Sequence, residues 1–397
     1  MAIEGADTAW VLISAALVLL MLPGLALFYG GLVQRKNVLS SMMHSFVAMG
    51  VMALEWVVIS YSLSFADGNS FVGGLSHAFL SGIDVNSVTG TIPTYAYIAF
   101  QGMFAIITPA LISGAIAGRV KFKSYIAFIA LWGIIVYAPV CHWVWGGGFL
   151  TGKALDFAGG TVVHITSGVS SLALLTYLGK RRGFGVDPLK PHNVTLTLLG
   201  GGLLWFGWFG FNAGSALAAN ETAALAFLTT LVAPAAAGFV WMAIEWRHFG
   251  YPTALGFATG VLAGLVAITP GAGFVTPMAA IPIGAITSFV CYKAVGLKER
   301  FGYDDSLDAF GVHGVGGIVG ALLTGVFASV GGTGLLYGNP EQLLIQLQAV
   351  VVTIVYAIVG TLLIGFILNR TIGLKVSESE ENIGLDKTQH GEIAYNV

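Results

Sequence analysis

Two histidines in strongly apolar segments are the side chains best suited to do chemistry. His164 lies eight residues after Asp156 in the stretch DFAGGTVVHITSG. His313 lies five residues after Asp308 in a second apolar segment. Two neutral imidazoles can share a proton and still present a donor and an acceptor to a small polar molecule. The pattern predicts a paired histidine site for a neutral hydrogen-bonding species or a proton in transit; the alternative is that each ring bonds only a neighbouring carbonyl.

The two aspartates stand at the starts of apolar segments. Asp is a favoured helix N-cap, so capping alone accounts for Asp156 and Asp308. For Asp156 a second role is open, because a carboxylate beside an outer vestibule stabilises an arriving cation. Two further ionisable residues in apolar surroundings, His44 and Glu55, have no assigned role.

Aromatic residues near the same segments are suited to bind a cation. The stretches FQGMF, WVWGGG and WFGWFGFNAGSA contain Phe104, Trp145, Phe211 and Ser215, with Phe100, Gln101 and Trp208 nearby. An aromatic face attracts a small cation by about 0.5–2 kcal/mol, and a serine hydroxyl adds one hydrogen bond. The competing interpretation is ordinary packing or an interfacial aromatic belt.

The composition indicates that membrane-spanning helices position these residues. Of the 397 residues, 56% are hydrophobic and 9% are charged, whereas soluble domains contain about 25% charged residues. The formal net charge of −2 gives no reason to expect nucleic-acid binding. Cys141 and Cys291 lie in apolar segments, so neither a disulfide nor a metal site is expected. The first apolar run is too long for a signal peptide and is predicted to be a mature helix.

Eleven apolar runs are long enough to cross a bilayer as helices. They lie at about residues 9–33, 38–65, 94–117, 123–144, 159–179, 194–214, 222–245, 253–270, 277–295, 308–330 and 342–369. Sixteen of the 17 Lys and Arg residues fall in the odd-numbered junctions or the C-terminal tail, and Lys153 is the exception. Positive charge marks the cytoplasm, so the N-terminus is predicted to lie outside and the C-terminus inside.

The predicted fold class is therefore an all-α polytopic membrane protein. Helices 1–5 at about 9–180 and helices 6–10 at about 194–330 would form a 5+5 inverted repeat, followed by helix 11 at about 342–369. Residues 1–370 would form the transmembrane domain and residues 371–397 a cytoplasmic tail. Inverted symmetry would bring the two histidine segments together at the interface of the repeats.

These segments together resemble the ammonium transporter family (Amt/Mep/Rh), on its bacterial or archaeal Amt side. The resemblance rests on DFAGGTVVHITSG, WFGWFGFNAGSALAAN, FYGGLVQRKNVLSSMM, WVWGGG and the tail GLKVSESEENIGLDKTQHGEIAY. It implies a homotrimer in the cell membrane with one pore per subunit, without cofactor, metal or enzymatic activity. The implied substrate is ammonium or ammonia, with methylammonium as a related substrate.

The resemblance also implies roles for individual residues. Trp145, Phe104 and Ser215 would form an outer ammonium recruitment site that Asp156 supports. Phe104 and Phe211 would form the gate beneath it, and His164 and His313 would be the paired pore histidines. We expect ammonium to lose its proton before it enters the pore, because the apolar pore cannot solvate the charge. Ammonia would then pass the histidines while the proton crosses separately; electroneutral conduction of ammonia is the alternative.

Other functions and the role of the tail stay open. An ammonium sensor would use the same fold with little flux, and a membrane cytochrome would use His164 and His313 as axial haem ligands. A water or urea channel would not need the outer aromatic cage. Composition alone predicts a disordered tail, whereas the resemblance implies a docked tail that meets a trimeric PII-type signalling protein.

Overall fold

The computed structural model describes residues 2–187 and 189–395, and it is almost entirely helical. Within these residues, ten helices are long and apolar enough to cross a membrane, and an eleventh apolar helix is shorter. They are α1 (Gly5–Leu32), α2 (Arg35–Phe65), α3 (Thr94–Ile116), α4 (Phe122–Trp145), α5 (Gly160–Leu178), α6 (Val194–Gly214), α7 (Glu221–Phe249), the shorter α8 (Ala254–Ile268), α9 (Pro277–Phe301), α10 (Phe310–Phe327) and α11 (Pro340–Thr371).

The remaining regular elements are short. Helices α12 (Glu378–Ile383) and α13 (Leu385–His390) lie in the C-terminal tail. Strands β1 (Val88–Thr89) and β2 (Ile92–Pro93) pair antiparallel between α2 and α3. Single 3₁₀ turns lie at Ala78–Leu80 and Leu335–Tyr337.

The prediction of an all-helical chain is confirmed, and each predicted apolar run overlaps one of these helices. The largest differences are at the ends. Helix α9 continues to Phe301, although its apolar run was predicted to stop near residue 295, and α7 continues to Phe249. Both extensions contain charged residues, so the hydropathy falls before the backbone hydrogen bonding of the helix ends.

Helices α5 and α10 begin with an unusual backbone. Their first turns, Gly160–Ile165 and Phe310–Gly314, are π-helical. Each of these turns contains one of the two predicted pore histidines. Such π turns are rare and frequently occur at functional sites.

Small residues let α5 and α10 cross closely. A Cβ atom at Gly168 would lie 2.0 Å from the backbone nitrogen of Gly314, and a Cβ atom at Gly317 would lie 3.0 Å from the Cβ atom of His164. Glycine at the first position is therefore required for the helices to approach at this distance. The crossing places the two π-helical turns side by side.

The tail packs against the end of the bundle at which α2 and α4 begin. The backbone N–H of Ser40 donates to the carboxylate of Asp386 at 2.8 Å, and the backbone N–H of Phe122 donates to the side chain of Gln389 at 3.0 Å. The described part of the tail is therefore folded onto the bundle. The disorder that composition alone predicts for the tail is wrong for these residues, because composition carries no information about hydrogen-bond partners elsewhere in the chain.

A buried ion cluster joins the loops at this same end. Arg119 and Arg181 both pair with Asp304 at 2.6 Å, and Arg119 is fully buried. Burial alone would raise the pKa of Asp304, but the hydrogen bonds and charges of the two arginines lower it overall. The cluster therefore brings three junctions, those before α4, after α5 and before α10, to the end of the bundle that the tail covers. The distribution of Lys and Arg predicts that these junctions lie on one side.

Candidate functional site

At the opposite end of the bundle, α4 ends beside an open cavity of about 270 Å³. Its lining residues come from α3, α4, the loop after α4 and the end of α6; they are Tyr97, Gln101, Phe104, Val144, Trp145, Phe157, Ser215 and Leu217. The rings of Phe104 and Trp145 are 5.8 Å apart with their planes at 84°. The hydroxyl of Ser215 donates to the carbonyl of Phe211 at 2.9 Å, so its lone pairs stay free to accept.

The structure thus brings together the predicted recruitment residues Trp145, Phe104 and Ser215, with Gln101 beside them. The remaining wall was not predicted. Single aromatic or aliphatic residues such as Phe157 and Leu217 carry no distinguishing signal within a hydrophobic chain.

Two phenylalanines separate this outer cavity from a second cavity deeper in the bundle. The ring centroids of Phe104 and Phe211 are 4.4 Å apart, and both side chains are buried. Phe104 lines the outer cavity, whereas Phe211 lines the inner one. Phe100 packs edge-on against Phe104 at 5.0 Å. The predicted gate residues therefore stand between the two cavities.

The two histidines meet directly below Phe211. Their Nδ1 atoms are 3.3 Å apart, and the rings are stacked with an interplanar angle of 21°. Within the described residues, each ring hydrogen-bonds the other ring. The alternative, in which each ring bonds a neighbouring carbonyl, is not what the structure shows. Trp208 stacks on His164 at 5.4 Å, and its indole N–H donates to Thr269 at 2.9 Å.

The inner cavity of about 70 Å³ runs from Phe211 past the histidines to Asp308. Most of its wall is apolar and comes from α1, α3, α6, α8 and the two π-helical turns; the wall includes Met21, Leu25, Phe28, Leu32, Ile107, Leu111, Val163, Leu204, Leu255, Leu262 and Val312. Such a wall offers few groups that can solvate a charge.

Asp156 caps α5 and does not line the outer cavity. Its carboxylate accepts four backbone N–H groups, those of residues 159–162, at 2.6–3.0 Å. Its backbone carbonyl accepts the indole N–H of Trp145 at 2.9 Å. The predicted capping role is therefore present, and Asp156 contacts the outer site through Trp145.

The predicted cap of α10 is wrong. Asp308 has a left-handed backbone with φ 61° and pairs with Lys298 at 2.5 Å. Asp305 caps the helix instead, because its carboxylate accepts the backbone N–H groups of Ala309 at 3.0 Å and Phe310 at 2.8 Å.

The signal for Asp305 was present in the sequence. Asp305 precedes His313 by eight residues, the same separation as that between Asp156 and His164. The segment DDSLD offers three aspartates, and only the middle one reproduces this spacing. The spacings of eight and five residues are unequal only when Asp308, which is not the cap, is compared with Asp156.

The ionisable residues without an assigned role lie outside both cavities. His44 packs on Tyr125 with ring centroids 4.2 Å apart, and Glu55 accepts a hydrogen bond from Ser60. No chemical role follows from these contacts.

Nearly the whole chain is similar to one family of known proteins. Residues 9–395 match the family described as Ammonium Transporter Family. A protein named ammonium transporter from Aquifex aeolicus is 53% identical over 407 residues, which cover 100% of this chain and 94% of the relative.

Solved structures agree with this match. The crystal structure of Saccharomyces cerevisiae Mep2 is similar with a TM-score of 0.91 and 35% identity, covering 100% of this chain and 92% of that one. A structure titled Sensor Amt Protein is similar with a TM-score of 0.90 and 31% identity, covering 97% and 98%. The chain is a multi-pass membrane protein and belongs to the ammonium transporter family.

Proposed function

We propose that this protein transports ammonium across the cell membrane by recruiting the cation outside and conducting ammonia through the pore. The observation that carries the proposal is the order of the parts. An aromatic cavity, two buried phenylalanines and a mostly apolar cavity lined by the contacting histidine pair follow one another along the bundle.

Recruitment rests on the outer cavity. The Trp145 and Phe104 rings offer π-faces worth about 0.5–2 kcal/mol each to a cation. Ser215 offers an acceptor to the N–H groups of ammonium, because its own proton is already donated to Phe211. Methylammonium carries the same charge and N–H donors, so we expect it to be a related substrate.

Deprotonation of ammonium follows from the apolar cavity beneath the two phenylalanines. An unpaired cation in an apolar cavity loses its hydration, and this costs several kcal/mol even after the protein relaxes. Ammonium avoids this cost by releasing its proton, whereas potassium and sodium cannot. Neutral ammonia then hydrogen-bonds to His164 and His313, and the proton crosses separately along this pair, which makes the transport electrogenic.

The proposed arrangement in the membrane has the N-terminus outside and the C-terminus inside, with eleven spans in a 5+5 inverted repeat plus a final helix. The matched pairs Asp156–His164 and Asp305–His313 on oppositely directed helices support the repeat. Residues 1–370 would form the transport domain and residues 371–397 the cytoplasmic tail. We further propose a homotrimer with one pore per subunit and a PII-type partner at the cytoplasmic face, on the basis of the family resemblance.

The test is flux through reconstituted protein. Proteoliposomes are exposed to a jump in ammonium concentration, with potassium as the control cation, and current and internal pH are recorded together. Inward positive current for ammonium and none for potassium would support the proposal. A pH change without current would contradict separate proton transfer and indicate electroneutral ammonia passage.

An ammonium sensor is the second candidate, favoured by the likeness to the structure titled Sensor Amt Protein. A sensor would bind ammonium but produce neither sustained current nor a pH change in the same vesicles. The cytochrome alternative has little support, because the Nδ1 atoms of His164 and His313 lie only 3.3 Å apart and leave no room for an iron between the two rings.

A further inference from the structure

Helix α11 contacts the loop beside the outer site through a glutamine. The side-chain oxygen of Gln346 accepts the backbone N–H of Leu155 at 2.7 Å, and its side-chain nitrogen donates to the carbonyl of the same residue at 2.8 Å. The same nitrogen donates to the carbonyl of Ala321 on α10 at 3.0 Å. One buried amide therefore ties α11, α10 and the loop between α4 and α5 together.

A second glutamine one turn earlier extends this contact. The side-chain nitrogen of Gln342 donates to the carbonyl of Lys153 at 3.0 Å and to the side-chain oxygen of Gln346 at 3.2 Å. Both glutamines are buried, with 7% and 1% of their surface exposed. We refer to Gln342 and Gln346 as the amide clamp.

The loop is held from its other side as well. The backbone N–H groups of Phe157 and Ala158 donate to the carbonyls of Pro270 and Thr269, just after α8, at 3.0 and 3.2 Å. Residues 153–158 are therefore bound on both flanks, and Asp156 lies at their centre.

The position of Trp145 depends on this segment. Its indole N–H donates to the Asp156 carbonyl at 2.9 Å, and its ring forms part of the outer cavity. The residue immediately before Asp156 is Leu155, both of whose backbone polar groups bond to Gln346. A primary amide suits this place because it donates and accepts at once, whereas an apolar side chain would leave two partly buried backbone groups unpaired.

We propose that Gln346, assisted by Gln342, is a positioning residue of the outer ammonium site. The amide clamp fixes residues 153–155 and thereby holds the Asp156 carbonyl where it orients the Trp145 ring toward the cation. This inference rests on the proposed function, since it assigns the clamp to ammonium recruitment. The clamp touches neither the cavity nor the histidine pair, so its effect is on half-saturation and not on passage through the pore.

The test compares Gln346→Met with Gln348→Met in the full-length reconstituted protein. Methionine has nearly the size of glutamine but no hydrogen-bonding amide, and Gln348 is an exposed glutamine on the same helix. For Gln346→Met we expect the ammonium concentration at half-maximal current to rise about fivefold to tenfold, with the maximal current per folded protein kept within about twofold. For Gln348→Met we expect no change.

Two further variants separate positioning from loss of folding. Gln346→Glu keeps the acceptor for the Leu155 N–H and should shift half-saturation less than Gln346→Met. Gln342→Met removes the bonds to Lys153 and Gln346 but leaves both Leu155 bonds in place, and it should shift half-saturation about twofold. A purely structural role would lower the amount of folded protein without moving half-saturation, and that result in these variants would overturn the proposal.

Trp145→Leu, measured in parallel, distinguishes the clamp from the recruitment site itself. If both act through one site, the double variant Trp145→Leu/Gln346→Met should shift half-saturation no further than Trp145→Leu alone. A shift for Trp145→Leu with none for Gln346→Met overturns the clamp and leaves the recruitment site standing. No shift for Trp145→Leu would overturn both.

Discussion

At the residue scale, Ser215 and Trp145 offer an arriving cation two different interactions. The Trp145 ring provides a π-face, which attracts any small cation. The Ser215 hydroxyl already donates to the Phe211 carbonyl, so it can only accept a further hydrogen bond. Ammonium satisfies both groups at once, because it combines a positive charge with N–H donors.

Replacing Ser215 by alanine removes that acceptor while leaving the aromatic rings in place. We expect half-saturation by ammonium to rise about fivefold, the equivalent of one hydrogen bond of about 1 kcal/mol, with little change in maximal current. Dose–response currents from proteoliposomes measure this, and Ser81→Ala at an exposed loop position serves as the control. An unchanged half-saturation would remove Ser215 from the recruitment site.

At the scale of elements, α5 and α10 follow one local plan. Each begins with a capping aspartate, continues into a π-helical turn and presents a histidine eight residues after the aspartate. The cap satisfies backbone N–H groups that the start of a helix leaves free. This plan explains how two segments with little overall similarity bring equivalent imidazoles to one point.

The two candidate caps of α10 can be separated by alanine substitution. Asp305→Ala should destabilise the protein by about 1–2 kcal/mol, because buried N–H groups lose their acceptor. Asp308→Ala should cost less, since it removes only a partly exposed pair with Lys298. Thermal unfolding of the purified protein in detergent measures both. A larger loss for Asp308→Ala would contradict the assignment of the cap.

Much of this level was predictable from the sequence, and the exceptions have physical causes. The apolar runs mark the helices because lipid requires them, and α6 has the predicted bounds 194–214. Hydropathy does not report capping geometry, which is why Asp308 was preferred to Asp305. Nor does it report that Gln346 inside an apolar helix bonds a loop 191 positions earlier in the chain. Such long-range partners become visible only in the folded structure.

At the scale of the whole molecule, the tail connects several helices at the end of the bundle where α2 and α4 begin. Asp386 accepts the backbone N–H of Ser40 at the start of α2, and the His390 ring packs on Phe122 at the start of α4 with centroids 4.6 Å apart. The backbone N–H of Arg182, after α5, donates to Glu381 at 3.0 Å. Release of the tail would therefore remove contacts from several helices at once.

Docking of the tail should weaken on acidification. Burial lowers the pKa of His390 below its ordinary 6.5 in the docked tail, despite the opposing charge of Asp386. Because the undocked tail then binds more protons, docking loses stability as the pH falls below about 6.5. Burial raises the pKa of Asp386 above 3.8 in the docked tail. The docked tail therefore binds more protons at this carboxylate, which favours docking on acidification, but only in a more acidic range than that of His390.

Hydrogen exchange of α13, corrected for the intrinsic pH dependence of exchange, measures this between about pH 8 and pH 5.5. The wild type should lose protection toward the acid end, and His390→Gln should flatten the profile because the titrating group is gone. Equal pH dependence in both proteins would show that another group controls docking.

In the proposed mechanism, ammonium leaves its charge at the gate and the proton crosses along His164 and His313. The most direct measurement is the current after an ammonium jump in proteoliposomes containing the wild type or the variant His164→Leu/His313→Leu, with potassium as control. We expect an ammonium current for the wild type, none for the double variant and none for potassium. An undiminished ammonium current in the double variant would contradict the proton relay.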